Sequence, residues 1–202
     1  MHVDTEPKAF YFGSPVLLLS SANEDGGTNI APFSSIWWLG RSCMLGLSSR
    51  SKTVANLRRR GECVINLATE DLVAVIDRLA LTSGNDPIPD YKAKMGYIHV
   101  ADKFSYSGLH ALPSELVAPV RVEECAVQLE ARVDRIGDFG DPESHLVAVE
   151  ATILRSHIDE AILDGGNRFH VDSRKWKPLI MSFCDYYGLG GNLRDSRLAK
   201  VF

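Results

Sequence analysis

Thr28-Asn-Ile-Ala-Pro-Phe-Ser-Ser35 and Ser48-Ser-Arg-Ser-Lys-Thr53 are the two stretches on which the reading of this 202-residue chain turns. The second is dense in hydroxyls, carries Arg50 and Lys52, and lies between an apolar run ending at Leu47 and a segment of helical spacing. A strand end followed by a helix N-terminus sets free backbone N–H groups beside Ser and Thr oxygens, and the helix dipole favours negative charge there. Ser48, Ser49, Arg50, Ser51, Lys52 and Thr53 are therefore candidates for holding a terminal phosphate dianion. The same residues also read as an ordinary helix start, with Ser49 capping a helix that begins at Ser51 or Lys52.

Working outward, Val16 to Ser21 is an apolar run closed by the turn signal Asn23-Glu-Asp-Gly-Gly27, which predicts a strand returning from about Thr28. Cys43 to Ser48 predicts a third strand. Lys52 to Arg60 has helical spacing, with Val54 and Leu57 on one side. Arg58 to Arg60 suit the negative end of the dipole, and Gly61 suits the position after the helix. Glu62 to Ala68 reads as a buried strand. In Glu70 to Leu81, Leu72, Val75, Ile76 and Leu79 mark an amphipathic helix. Asn85 to Val100, broken by Pro87 and Pro89, predicts a loop with a short helix. Cys125 to Ile136 alternates, with Val127, Leu129, Ala131 and Val133 set against Gln128, Glu130, Arg132 and Asp134. Leu146 to His157 puts Val147, Val149, Ala151 and Ile153 on one side. From Ser173 onward the pattern is too irregular to assign. Several strands, two or three helices and no repeating βα unit predict an α+β fold built on an antiparallel barrel.

Composition narrows the function classes. A 45% hydrophobic and 24% charged chain can build a core, and residues 1–202 are expected to form one domain. The net charge of −4 argues against nucleic acid as a partner. No apolar stretch reaches the ~18 residues of a membrane-spanning helix, and Met1 to Lys8, with Asp4 and Glu6, does not read as a signal peptide. Cys43, Cys63, Cys125 and Cys184 form no CxxC pair and three lie in apolar runs, which fits reduced thiols in a cytoplasmic setting. The six histidines show no metal-ligand spacing, so no metal site is expected. Gly188-Leu-Gly190-Gly191-Asn-Leu193 lacks the last glycine of a dinucleotide fingerprint and follows no clear strand, so it reads as a loop.

Taken in order, Val16–Ser21, Glu24–Gly27, Asn29–Ser34, Met44–Leu47, Lys52–Leu57 and Gly61–Leu67 resemble the flavin reductase-like, FMN-binding split-barrel family. Ser107-Gly-Leu109, Pro113-Ser114, Val120, Leu129-Glu130 and Asp185-Tyr-Tyr187 extend the resemblance over nearly the whole chain. It implies an antiparallel split β-barrel with peripheral helices, assembled as a homodimer. It implies FMN as cofactor, with Asn29, Pro32, Phe33, Ser34 and Ser35 lining the pyrimidine and ribityl side of the flavin and Ser48 to Thr53 taking its phosphate. Core packing is an equal reading of Phe33. Trp37 and Trp38 depart from the family pattern; one is expected at the flavin cavity and at least one in the core or dimer interface. Arg168, Phe169, His170 and Tyr186 are weighed as contributions from a second subunit, against a plainer surface or interface role.

The implied activity is NAD(P)H-dependent flavin reduction, with hydride passing from the nicotinamide to flavin N5 and electrons going on to a flavin-dependent monooxygenase or another acceptor. The cofactor carries that chemistry, so no catalytic side chain is nominated. The alternatives are a flavoredoxin-type FMN electron carrier without a nicotinamide site, and a non-enzymatic flavin- or haem-binding protein on the same barrel.

Overall fold

In the computed structural model, which describes residues 1–7, 10–165 and 167–194, the apolar run after Pro15 becomes a strand covered on both faces. The strands of the framework are β1 (Phe12–Pro15), β2 (Leu17–Ala22), β3 (Thr28–Phe33), β4 (Ile36–Leu39), β5 (Ser42–Ser48), β6 (Glu62–Leu67), β7 (Val127–Asp138) and β8 (Leu146–Ile158). Seven of them form one antiparallel sheet in the order β3-β2-β6-β7-β8-β5-β4. Every residue of β2 is buried, because its alternate side chains feed two separate cores. Leu17 and Leu19 join Leu45, Leu47, Ile65, Leu129 and Val149 on one face, while Val16, Leu18 and Ile30 join Ile76 and Leu79 on the other. The architecture is α+β and mostly antiparallel.

The two edge strands of the sheet are β3 and β4, which are neighbours in sequence but are not paired with each other. Only Ser34 and Ser35 lie between them. The three steps from Phe33 to Ile36 span at most about 11 Å, so the sheet must curl until these ends of its edges come close. It stays open as a split barrel. The Ser35 carbonyl accepts from the Gly46 amide at 2.9 Å, which ties the crossing to β5. Register shifts in the β7–β8 ladder at Glu130/Ala131 and Val133/Arg135 supply bulges that let the long strands bend.

Helix α1 (Lys52–Arg60) has the bounds the sequence predicts, but its cap is Ser51 and not Ser49, whose amide is directed to the His145 carbonyl. The Ser51 side chain accepts from the Val54 amide at 3.1 Å, and Gly61, at φ 70°, provides the left-handed cap. Glu70 to Leu81 begins as a single 3-10 turn and becomes helical only over α2 (Val73–Ala80), which packs Ile76 and Leu79 beneath β3. The predicted short helix is α3 (Asp90–Lys94), and a further short helix, α4 (Lys103–Ser107), follows it. The irregular C-terminal stretch contains a hairpin, β9 (Ile180–Ser182) and β10 (Asp185–Tyr187). It turns through Phe183 and Cys184, both at positive φ, and β9 pairs with β1.

The alternation along β7 is one of residue type and not of burial at its start: Gln128 and Glu130, set between Val127, Leu129 and Ala131, are buried as they are, and Glu130 is 0% exposed. Backbone turned toward them replaces the solvent. Glu130 accepts from the amides of Glu115 (3.0 Å), Leu116 (2.6 Å) and Val117 (3.2 Å), and its Oε1 lies 2.7 Å from His157 Nε2. Gln128 Nε2 donates to the carbonyls of Val122 and Cys125. These strand side chains therefore anchor the 113–125 segment, in which they supply partners that no ladder can.

Glu130→Ala would orphan three amides at once, and each unsatisfied buried donor costs about 1–3 kcal/mol. A loss of at least about 3 kcal/mol in urea denaturation is expected, well beyond that of an exposed carboxylate such as Glu160→Ala.

Candidate functional site

Two connected hollows meet where the sheet is split. The larger, about 820 Å³, runs from the Ser34-Ser35 crossing along β5 to the β9–β10 hairpin. The smaller, about 230 Å³, lies between the start of α1 and the 82–103 segment. They share Pro32, Phe33, Ser48 and Ala80 as common wall. Their chemistry differs sharply. Among the described residues no charged side chain lines the larger one, whereas Lys52, Lys92 and Lys103 line the smaller.

Nearly all of the sequence-predicted residues converge here. Pro32, Phe33, Ser34, Ser35 and Ser48 border the large cleft, and Asn29, Ser51, Lys52 and Thr53 border the small cavity. Ser49 and Arg50 lie outside both linings. The Ser49 amide donates to the His145 carbonyl at 2.8 Å, while Arg50 contacts His145 and stacks its guanidinium 5.6 Å from the Tyr91 ring. Ser51 is both a helix cap and part of the cavity wall. The Lys52 and Thr53 amides, in the first turn of α1, have no intrahelical acceptor. Asn29, buried, donates from Nδ2 to Thr53 Oγ1 at 3.3 Å and so ties β3 to that turn. Lys52 Nζ reaches Glu24 Oε2 at 3.1 Å on the hairpin turn.

Sequence reading missed the far wall. Tyr91, Lys92, Met95 and Tyr97 come from the stretch read as a loop, Lys103 from the helix after it, and Thr82, Ser83 and Gly84 from the unassigned residues just before it. Lys103 is 2% exposed and donates from Nζ to the Ile30 carbonyl at 2.9 Å. Burial, with Lys92 close by, pulls its pKa down from 10.5 to about 8, and burial also lowers Lys92. The clue available was Lys103 itself, followed at once by Phe104, in a segment otherwise without pattern. Gly84 is flat against the site: a Cβ there would lie 2.5 Å from Asn29 Oδ1 and 3.1 Å from Lys52 Cγ.

The tryptophans divide the work. Trp37, 58% exposed, lines the large cleft, while Trp38 packs against the barrel core. Tyr186 lines the same cleft within its own chain; Arg168, Phe169 and His170 sit on an exposed strand at Asn167–Val171. Phe10, Phe12, Trp37 and Phe139 leave an apolar rim around the cleft. Cys43, Cys63 and Cys125 are buried, and burial raises all three thiols, Cys43 to about 11, so none is a thiolate near neutral pH. Among the described residues no group of three or more His, Cys, Asp or Glu side chains is placed to hold a metal.

Residues 9–185 match the model of the family described as the flavin reductase-like domain. Among curated proteins, the chain is 40% identical over 187 residues to the uncharacterized protein YdfE of Bacillus subtilis, covering 93% of this chain and 89% of that one. Among solved structures it resembles the flavoredoxin of Desulfovibrio vulgaris (Miyazaki F), with a TM-score of 0.80 at 20% identity over 99% of this chain and 100% of that one. It also resembles component B of nitrilotriacetate monooxygenase from Bacillus cereus, with a TM-score of 0.73 at 20% identity over 91% of this chain and 87% of that one.

Two outcomes are expected of the small cavity. Gly84→Ala forces its methyl into Asn29 and Lys52, and a stability loss of about 1–3 kcal/mol is expected from such overpacking, read by thermal or urea unfolding. Lys103 gives a pH signature. Its folded pKa lies below its unfolded value, so between about pH 8 and 10.5 the unfolded state binds more protons and folding gains with rising pH. Urea titrations should therefore show wild type gaining stability relative to Lys103→Met from pH 8 to pH 10; a constant difference counts against this assignment.

Proposed function

The chain belongs to the flavin reductase-like family, and on that premise we propose that it is an FMN-binding oxidoreductase that takes electrons from NAD(P)H, in effect a flavin reductase. The observation that carries this reading is the pairing of an aromatic cleft, lined by no charged side chain among the described residues, with a lysine-lined cavity through the shared wall of Pro32, Phe33, Ser48 and Ala80. A flat apolar ring system bearing an anionic tail fits that partition, and few other small molecules do.

The donor set suits FMN. Pro32, Phe33, Ser34, Ser35 and Ser48 would hold the ring and ribityl side, with Trp37 and Tyr186 as further walls of the cleft. Ser51, Lys52 and Thr53, with Asn29 steadying the turn and Lys103 opposite, would hold the phosphate. Ser49 and Arg50 would act from behind that wall, fixing His145 and the Tyr91 ring. The bound flavin supplies hydride acceptance from a nicotinamide and onward electron transfer. The chain's own part is to bind, to orient, and to present amides and hydroxyls rather than carboxylates to the ring. The aromatic lining of the large cleft favours stacking of a second planar ring over the first.

The exposed rim of Phe10, Phe12, Trp37 and Phe139 supports a homodimer that covers the cleft mouth. The monooxygenase-component neighbour supports a flavin-dependent monooxygenase as the electron acceptor. The flavoredoxin likeness over almost the whole chain favours a second reading, an FMN carrier reduced by a protein instead of by a nicotinamide.

Anaerobic addition of NADH or NADPH to the FMN-loaded protein separates the two. Bleaching of the flavin's blue band is expected; bleaching by dithionite alone would leave the carrier, and a protein that takes up no FMN rules out both. Lys52→Ala is expected to weaken FMN about tenfold, the weight of one charge-assisted bond, and to leave riboflavin unchanged. Equal losses for the two flavins would reject the phosphate placement.

A further inference from the structure

The segment between Ser83 and Ile98 is an excursion closed at its base. Thr82 pairs with Ile98 and Ser83 with His99, and the Ile98 and Val100 amides donate to the carbonyls of Leu81 and Ser83, each at 3.0 Å. The Asn85 side chain donates to the Arg50 carbonyl at 3.2 Å and His99 Nδ1 lies 3.0 Å from the Asn85 carbonyl. The excursion is therefore held against the start of α1. It carries α3, and α3 brings Tyr91 and Lys92 into the wall of the small cavity.

Tyr91 is the odd member of that wall. Its hydroxyl is buried and has no hydrogen-bond partner, while its ring is braced by the Arg50 guanidinium 5.6 Å from the centroid. A buried phenol normally finds an acceptor, because leaving the O–H unpaired costs about 1–3 kcal/mol. The neighbouring groups in the cavity are chiefly donors: Lys52, Lys92, Lys103 and the first-turn amides of α1. What this set lacks is an acceptor with several oxygens. Among the described residues the carboxylate paired with these lysines is Glu24, which stands on the hairpin turn and meets Lys52.

We propose that Tyr91 is an anion-binding residue of the small cavity, its hydroxyl donating to an oxygen of a phosphate monoester held between α1 and the 84–97 excursion. The inference rests on the flavin reading above and deepens it: Tyr91, braced by Arg50, is a residue through which the protein distinguishes phosphorylated from unphosphorylated flavin. Arg50 is then a positioning residue. It orders the phenol and does not itself reach the anion.

Tyr91→Phe keeps the ring and its stacking and removes only the hydroxyl. Flavin-fluorescence quenching should show FMN bound at least about tenfold more weakly by this variant, the lower end of the range for a hydrogen bond to a charged acceptor, with riboflavin unchanged. A parallel thermal-shift series with inorganic phosphate should show the wild-type stabilisation reduced in the variant. If wild type prefers FMN to riboflavin and Tyr91→Phe preserves the same ratio, the proposal is overturned and the flavin reading stands. If wild type binds no flavin but is stabilised by phosphate in a Tyr91-dependent way, the anion site stands and the flavin reading falls. If phosphate stabilises neither protein and no flavin binds, both fall.

Discussion

The two-residue crossing at Ser34-Ser35 is the constraint from which the rest of the structure follows. It joins the opposite edges of a seven-stranded sheet, so the sheet cannot lie open. Curling brings Leu17, Leu19, Ile65, Leu129, Val149 and Leu45 into one interior cluster, and it also sets the ends of β3 and β5 side by side. Gly46 answers the crossing from β5: a Cβ there would meet the Ser35 Cβ at 3.3 Å. The gap between the edges is left unpaired, and unpaired edge backbone is where a ligand can approach main chain closely. The large cleft lies along that gap because the barrel fails to close there.

Inward and outward demands on β2 explain why the helices sit where they do. Its second apolar row, Val16 and Leu18, needs cover, and α2 gives it with Ile76 and Leu79. That packing leaves Ala80 in the common wall of both hollows and sends the chain directly into the 82–103 segment. At the other end of β5, α1 inserts Val54 and Leu57 into the barrel core, so the first turn that faces the cavity is rigidly seated. Asn56 extends this by donating to Ser21 Oγ and Asn23 Oδ1, fixing the hairpin turn that carries Glu24. The small cavity is thus bounded by elements whose positions are settled by apolar packing elsewhere.

Legibility in the sequence followed the reach of local rules. α1, with Ser51 before it and Gly61 after it, obeys capping chemistry that lies within ten residues, and β8 shows its buried row in simple alternation. The start of α1 and the β3 segment could be recognised as a site because hydroxyls and cations gather at a strand–helix junction. What was hidden depended on distant partners. Nothing near Glu130 in the sequence announces the amides of 115–117 from which it accepts. Tyr91, Lys92 and Lys103 show no periodicity, and only the excursion's closure at Thr82 and Ile98 carries them to the cavity. Phe183 and Cys184 form a tight turn without the glycine or asparagine that usually signals one.

The cavity's charge shows why such a site conflicts with stability. The chain is net negative at −4, yet it gathers Lys52, Lys92 and Lys103 around one small volume, with Glu24 as a single ion-pair partner at 3.1 Å. Burial and the neighbouring Lys92 pull Lys103 down to about 8, so its charge costs more in the folded protein than in the unfolded chain. An anion placed among these lysines would offset that cost and give the lysines, the α1 amides and the cavity hydroxyls one acceptor. Ligand affinity and ligand-dependent stabilisation then share one electrostatic source. The apolar cleft next door makes no such demand: what a ligand would gain there is burial of apolar surface and not relief of gathered charge.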